Sequence, residues 1–102
     1  MQKDQKYSIN EIRDAIIPIA NKYKVKRIAL FGSYAKGEAG KNSDIDLHLI
    51  DTGGMWGYFK LCGFRQELET CFGVNVDVLT TGAMDDEVLE RVRRDEVLIY
   101  EQ

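Results

Sequence analysis

The sequence predicts an α+β fold, a small mixed β-sheet with helices largely on one face, and three observations point there. A capping signal opens a helically spaced run of isoleucines, two separate stretches alternate aliphatic residues with aspartates, and a longer amphipathic stretch lies between those two. At 102 residues, with 44% hydrophobic residues and one proline, there is material for one core, so residues 1–102 are expected to form a single domain.

Ser8-Ile-Asn-Glu11 is a capping box: the serine hydroxyl accepts the Glu11 amide, and the Glu11 carboxylate accepts the serine amide. Ile9, Ile12, Ile16, Ile19, Ala20 and Tyr23 then recur near helical spacing, predicting a helix over 9–23 in which Pro18 removes the backbone bond to Asp14 and marks a place for a kink. Arg27 to Phe31 is a short apolar run that stops at Gly32, the profile of a buried strand. Residues 32–43 are rich in Gly, Ser, Lys and Asn and read as a loop with room for one helical turn. From Asp44 to Ile50 the alternation is strict, with Ile45, Leu47 and Leu49 on a core face and Asp44, Asp46 and His48 on a polar one.

Asp51-Thr-Gly-Gly54 reads as a turn. Tyr58, Phe59, Leu61, Cys62, Phe64, Leu68, Cys71 and Phe72 then supply an amphipathic helix, with Gly73 as its C-cap. Val74, Val76 and Val78 alternate with Asn75, Asp77 and Leu79 in a second strand of the same pattern. Asp85 to Arg94, acidic early and basic late, suits the helix macrodipole, and Val97 to Tyr100 closes an α-β-β-α-β-α-β order.

Fourteen Lys and Arg against seventeen Asp and Glu leave a net charge of -3, the wrong sign for gripping a long polyanion, so extended nucleic-acid binding is disfavoured. The basic cluster Lys22, Lys24, Lys26 and Arg27 falls at a helix end, where it complements the helix dipole. The longest apolar run, Ala15 to Ala20, is far short of the roughly 20 residues of a membrane span. The opening Met-Gln-Lys-Asp-Gln-Lys has no apolar segment of the secretory kind, so the cytoplasm is the expected compartment. Cys62 and Cys71, nine apart, match neither a zinc nor a redox spacing and are expected to be reduced core residues.

The aspartates need a separate explanation, because Asp is depleted in strands and here it is flanked by core aliphatics. Asp44 and Asp46, two apart on an extended strand, have Cα atoms roughly 6.7 Å apart and side chains on one face. Two like charges that close repel unless a cation lies between them, and Asp77 completes a set of three if the two strands are neighbours. Three carboxylates suit hard Mg²⁺ or Mn²⁺; a lone Asp-x-Asp, by contrast, is more often a solvated sheet face. Upstream, Gly32-Ser33 ends a strand in a turn whose backbone amides are free for phosphate oxygens. Gly40-Lys41 is not a Walker A loop, since residue 42 is Asn and residue 35 is Ala.

Gly32-Ser33, ten intervening residues and Asp44-Ile45-Asp46 resemble the G-S-x10-D-x-D signature of the DNA polymerase β-like nucleotidyltransferases. The stretch from Gly32 to Leu47 resembles in particular the minimal nucleotidyltransferases. So do Gly63-Phe-Arg-Gln-Glu-Leu-Glu69, Phe72-Gly-Val-Asn-Val-Asp77-Val and Val97-Leu-Ile-Tyr-Glu101, so the resemblance covers roughly residues 9–101. One departure is Lys36, where the family usually has Arg: the charge is kept and the bidentate fork is lost.

The resemblance implies a polymerase β-like fold and transfer of a nucleoside monophosphate, AMP from ATP, to a hydroxyl with release of pyrophosphate. Asp44, Asp46 and Asp77 would hold two Mg²⁺ ions about 3.5–4 Å apart, Mn²⁺ being an alternative, and Asp77 would also accept the hydroxyl proton. Gly32, Ser33 and Lys36 would bind the nucleotide's phosphates. With no appended domain for an acceptor, the acceptor is expected on another protein. The family's minimal members pair with a HEPN-domain toxin, so the chain would be the antitoxin of a toxin–antitoxin system. The competing readings are a binding module that neutralises its partner by contact, and transfer to a small molecule or an RNA end. His48, on the same strand face as the aspartates, is a minority candidate for substrate contact, and Trp56 is either a core cap or, as the minority reading, a partner anchor.

Overall fold

The computed structural model describes residues 6–50 and 57–102, so Trp56 and the turn expected at Asp51–Gly54 lie outside the described residues. Helix α1 (Ile9–Tyr23) starts at the expected capping box: the Glu11 amide donates to Ser8 Oγ at 3.0 Å, and the Ser8 amide donates to Glu11 Oε1 at 2.8 Å. The helix continues through Pro18 and ends at Lys24, whose left-handed backbone (φ 58°) turns its amide back onto the Ala20 and Asn21 carbonyls. Because the box satisfies two otherwise orphaned donors, Ser8→Ala is expected to cost about 1 kcal/mol. The check is a lower urea midpoint at an unchanged m-value.

Strand β1 (Arg27–Phe31) runs straight into a four-residue helical turn, α2 (Gly32–Ala35), and strand β2 (Ile45–Ile50) returns antiparallel to β1. Helix α3 (Tyr58–Phe72), capped by Gly73 at φ 72°, crosses over to β3 (Val76–Thr80), which pairs parallel to β2. A 3₁₀ turn (Thr81–Ala83) and helix α4 (Asp86–Asp95), N-capped by Asp85, lead to β4 (Val97–Glu101), antiparallel to β1. The sheet order is β3-β2-β1-β4, a mixed sheet as expected.

One sheet face carries Ile28, Leu30, Ile45, Leu47 and Leu49 and is sealed by Ile12, Ile16 and Ala20 of α1 and Phe64, Leu68 and Phe72 of α3. Burying each of these large side chains contributes roughly 1.5–3 kcal/mol, which is why these two helices lie on that face. The other face is left for polar residues, and β2 and β3 carry their aspartates there. Three expectations are corrected at this level. Asp44 precedes β2 rather than opening it, Phe59 is exposed rather than part of the core, and Cys71 is an exposed free thiol while Cys62 is half-buried. Phe59 and Cys71 lie on the side of α3 turned away from the sheet, which apolar spacing in a helix this rich in hydrophobic residues does not reveal.

Candidate active site

The parallel register of β2 and β3 sets Asp46 directly beside Asp77. Like charges in that position oppose strand pairing, so the arrangement costs stability unless something offsets it. The Asp46 carboxyl is pushed up to about 6, by burial first, then by the Asp77 charge, by a hydrogen bond its protonated form donates to Asp77, and by the Asp44 charge. Asp77 and Asp44 are exposed, whereas Asp46 is half-buried between them and Gly32.

Gly32 is the closest backbone approach to this pair. Its φ of 75° is a left-handed conformation, and a Cβ at this position would run into Asp46 Oδ2. The strand-to-turn junction at Phe31–Gly32 is therefore built against the Asp46 carboxylate, a contact that the reading of Gly32-Ser33 as a phosphate turn does not include. A cavity of about 280 Å³ opens over the pair, walled by Phe31, Leu61, Cys62, Arg65, Val78 and Leu79 with Asp46 and Asp77. Asp44 lies outside that cavity and lines a neighbouring one of about 410 Å³ with Asn42, Glu69 and Asn75. Lys36 and Gly32 line a third, of about 330 Å³, together with residues of α4. Among the described residues no three carboxylate, thiol or imidazole groups stand close enough to enclose a metal ion as they are. The structure thus brings Asp46, Asp77 and Gly32 together, with Asp44 within electrostatic reach and Ser33 and Lys36 on the turn that follows.

Residues 14–102 match the sequence profile of the family described as "Polymerase beta, Nucleotidyltransferase". The chain belongs to that family. A Methanocaldococcus jannaschii relative, named as a candidate protein adenylyltransferase, is 40% identical over 90 residues, covering 88% of this chain and 96% of the relative. Among solved structures, a chain of a toxin–antitoxin complex with AMP-PNP superposes with a TM-score of 0.77 at 22% identity, covering 88% of this chain and 73% of that one. A chain from the complex of tri-AMPylated Shewanella oneidensis HEPN toxin with MNT antitoxin gives a TM-score of 0.72 at 18% identity, covering 92% and 73%. These likenesses place the nucleotidyltransferase in the polymerase β-like fold.

In this nucleotidyltransferase His48 is not a substrate contact. It is fully buried, with Nδ1 2.8 Å from Glu96 Oε1 and Nε2 2.8 Å from Thr81 Oγ1. Burial acts to raise the Glu96 carboxyl, but hydrogen bonds and charge from His48 and Arg27 outweigh it and hold Glu96 below the usual carboxylate range. An ionised Glu96 can only accept, so Nδ1 of His48 is the donor in that bond. The imidazole therefore ties the strand carrying Asp46 to the α4–β4 junction and to the turn after β3. Sequence alternation put His48 on the polar face correctly, but the covering residues are 33 and 48 positions away and spacing carries no sign of them. Arg65, given no role from the sequence, reaches the carboxylate cavity from α3 while its Nε donates to Glu69 at 3.3 Å. Leu61, Cys62 and Arg65 share one helical face, but only the packing of α3 along β3 turns that face to the site.

Proposed function

We propose that this nucleotidyltransferase moves AMP from ATP onto a hydroxyl of a partner protein, and that the partner is a HEPN-type toxin which the modification silences. The chain would then be the antitoxin of the pair. The observation that carries the chemistry is the Asp46–Asp77 pair, set side by side on a parallel strand pair with its inner carboxyl pressed against Gly32. The protein acceptor is supported by the 40% identical relative, named as a candidate protein adenylyltransferase, and by the fold shared with the antitoxin bound to an AMPylated HEPN toxin. With ATP as the donor, the cytoplasm is the compartment this reading proposes.

The donor set is carboxylate oxygen throughout, which suits Mg²⁺ or Mn²⁺, and the Asp77 and Asp44 charges that join burial in raising the Asp46 carboxyl are ones a divalent cation would offset. Asp44, Asp46 and Asp77 are the residues that would hold it, and a metal there would supply neutralisation of the triphosphate and acidification of the attacking hydroxyl. Gly32, Ser33 and Lys36 orient the phosphates for in-line attack. Asp77, the exposed member of the pair, takes the hydroxyl proton. The new bond joins the acceptor oxygen to the α-phosphorus while the bond to the β-phosphate oxygen breaks, and pyrophosphate leaves with that electron pair.

The test is incubation of the protein with α-labelled ATP, Mg²⁺ and lysate of the native cell, resolved on a denaturing gel beside Asp44→Ala/Asp46→Ala. A labelled protein band absent with the double variant is the expected result, and mass spectrometry then identifies the acceptor. Label appearing only in RNA or a small molecule would overturn the protein acceptor, and absence of any labelled product would overturn transfer itself.

A further inference from the structure

We propose that helix α4 supplies part of the seat for the outer phosphates of the nucleoside triphosphate, with Arg91 as its main contact, opposite Lys36, and Arg94 at the rim. The inference rests on the nucleotidyltransferase reading and extends it to residues outside the Gly32–Asp46 motif. Val88, Arg91, Val92 and Asp95 recur at i, i+3, i+4 and i+7 and form one face of α4, which packs beside α2. That face lines the cavity of about 330 Å³ whose opposite wall is Phe31, Gly32 and Lys36. Val92 is buried and Val88 half-buried on that face, Arg91 is exposed beside them in the cavity wall, and Arg91 lies before the last turn, where Arg93 and Arg94 already complement the helix dipole.

Charge points the same way. The chain as a whole is acidic, yet this cavity gathers Lys36, Arg91 and Arg94 against the single carboxylate of Asp95 among its lining residues. Among the described residues none of the three cations is in an ion pair, whereas Lys22, Arg27 and Arg65 each are. Three cations gathered against one carboxylate leave the positive excess that a polyanionic ligand requires. The cavity also stands in the right place, for it shares the Phe31 wall with the cavity over Asp46 and Asp77, and Gly32 separates the two. A triphosphate with its α-phosphate at the aspartates and its chain passing over Gly32 delivers the β- and γ-phosphates to Lys36 and Arg91. There the arginine supplies the forked donor that Lys36 lacks and meets the charge left on pyrophosphate as the α–β bridge breaks.

The test measures the affinity of α,β-methylene-ATP, which cannot be cleaved at that bridge, and of AMP by calorimetry with Mg²⁺. The proteins are the wild type, Arg91→Ala, Arg91→Lys and Arg94→Ala. Arg91→Ala is expected to weaken the triphosphate analogue about tenfold and leave AMP unchanged, as loss of one charge-assisted contact predicts. Arg91→Lys should recover part of the loss, and Arg94→Ala should lose less than Arg91→Ala. Equal affinity of wild type and Arg91→Ala for the analogue, or an equal loss for AMP, would overturn the α4 seat while leaving the nucleotidyltransferase reading intact. A wild-type protein that binds neither nucleotide would overturn both.

Discussion

Replacing Asp46 with asparagine is expected to lower nucleotidyl transfer by about 10³-fold, the scale on which removal of one transition-state charge contact is felt, and to stabilise the metal-free protein at pH 8. The two effects have one cause. Asp46 is wedged between Gly32 and Asp77, and its carboxyl is raised from 3.8 to about 6 by burial and by neighbouring carboxylates. A raised value means that the folded state holds the proton more tightly than the unfolded one. The stability Asp46 contributes is thus full below 3.8 and lost as the pH rises through about 6. Taken whole, that rise is worth about 3 kcal/mol, and solvent screening of a half-buried group reduces it to about 1–2 kcal/mol. Asparagine copies the protonated form at every pH, because its amide can donate to Asp77 as the carboxylic acid does. Urea midpoints should therefore be higher for Asp46→Asn than for the wild type at pH 8 and converge at pH 4, and Mg²⁺ should raise the wild-type midpoint while leaving the variant's in place. Parallel pH profiles for the two proteins would show that Asp46 carries no stored repulsion.

That Asp46 and Asp77 meet was readable from sequence only in part. Alternation put each on the polar side of its strand, because a period of two leaves no other choice once the valines and leucines face the core. Whether the strands were neighbours, and in which direction, was not legible, since parallel pairing of β2 with β3 depends on α3 crossing the sheet and no spacing records it. Local signals fared best. The Ser8–Glu11 box and the Gly73 cap act within four residues of themselves, and both helix ends fall where they predict. What spacing does not carry is long-range packing: His48 is hidden by Thr81 and Glu96, against its minority reading as a substrate contact, and the position of Phe59 and Cys71 is set by which side of α3 faces the sheet. The α4 face that brings Arg91 toward Lys36 is of the same kind, invisible until α4 lies beside α2.

Gly32→Ala is expected to disable the enzyme as thoroughly as loss of Asp46, through geometry rather than charge. Two costs combine at this residue. Its φ of 75° is the left-handed conformation, which any residue with a Cβ occupies at a cost of about 1–2 kcal/mol. The added Cβ also meets Asp46, with Cγ 3.1 Å and Cβ 3.3 Å away and the carboxylate oxygen nearer still, so the acid must turn off its position beside Asp77. Conformational strain belongs to Gly32 alone, but the collision belongs to the pair, and a double-mutant cycle separates them. Asp46→Ala removes the carboxylate and leaves only a β-carbon to avoid, so Gly32→Ala should destabilise that background less than the wild type, by about 1 kcal/mol or more of coupling. Transfer activity in Gly32→Ala should be lost even where denaturation shows the protein folded, because the aspartates no longer share one opening. Strictly additive stabilities together with normal activity in the single variant would mean that the close approach of Gly32 to Asp46 is not what aligns the site.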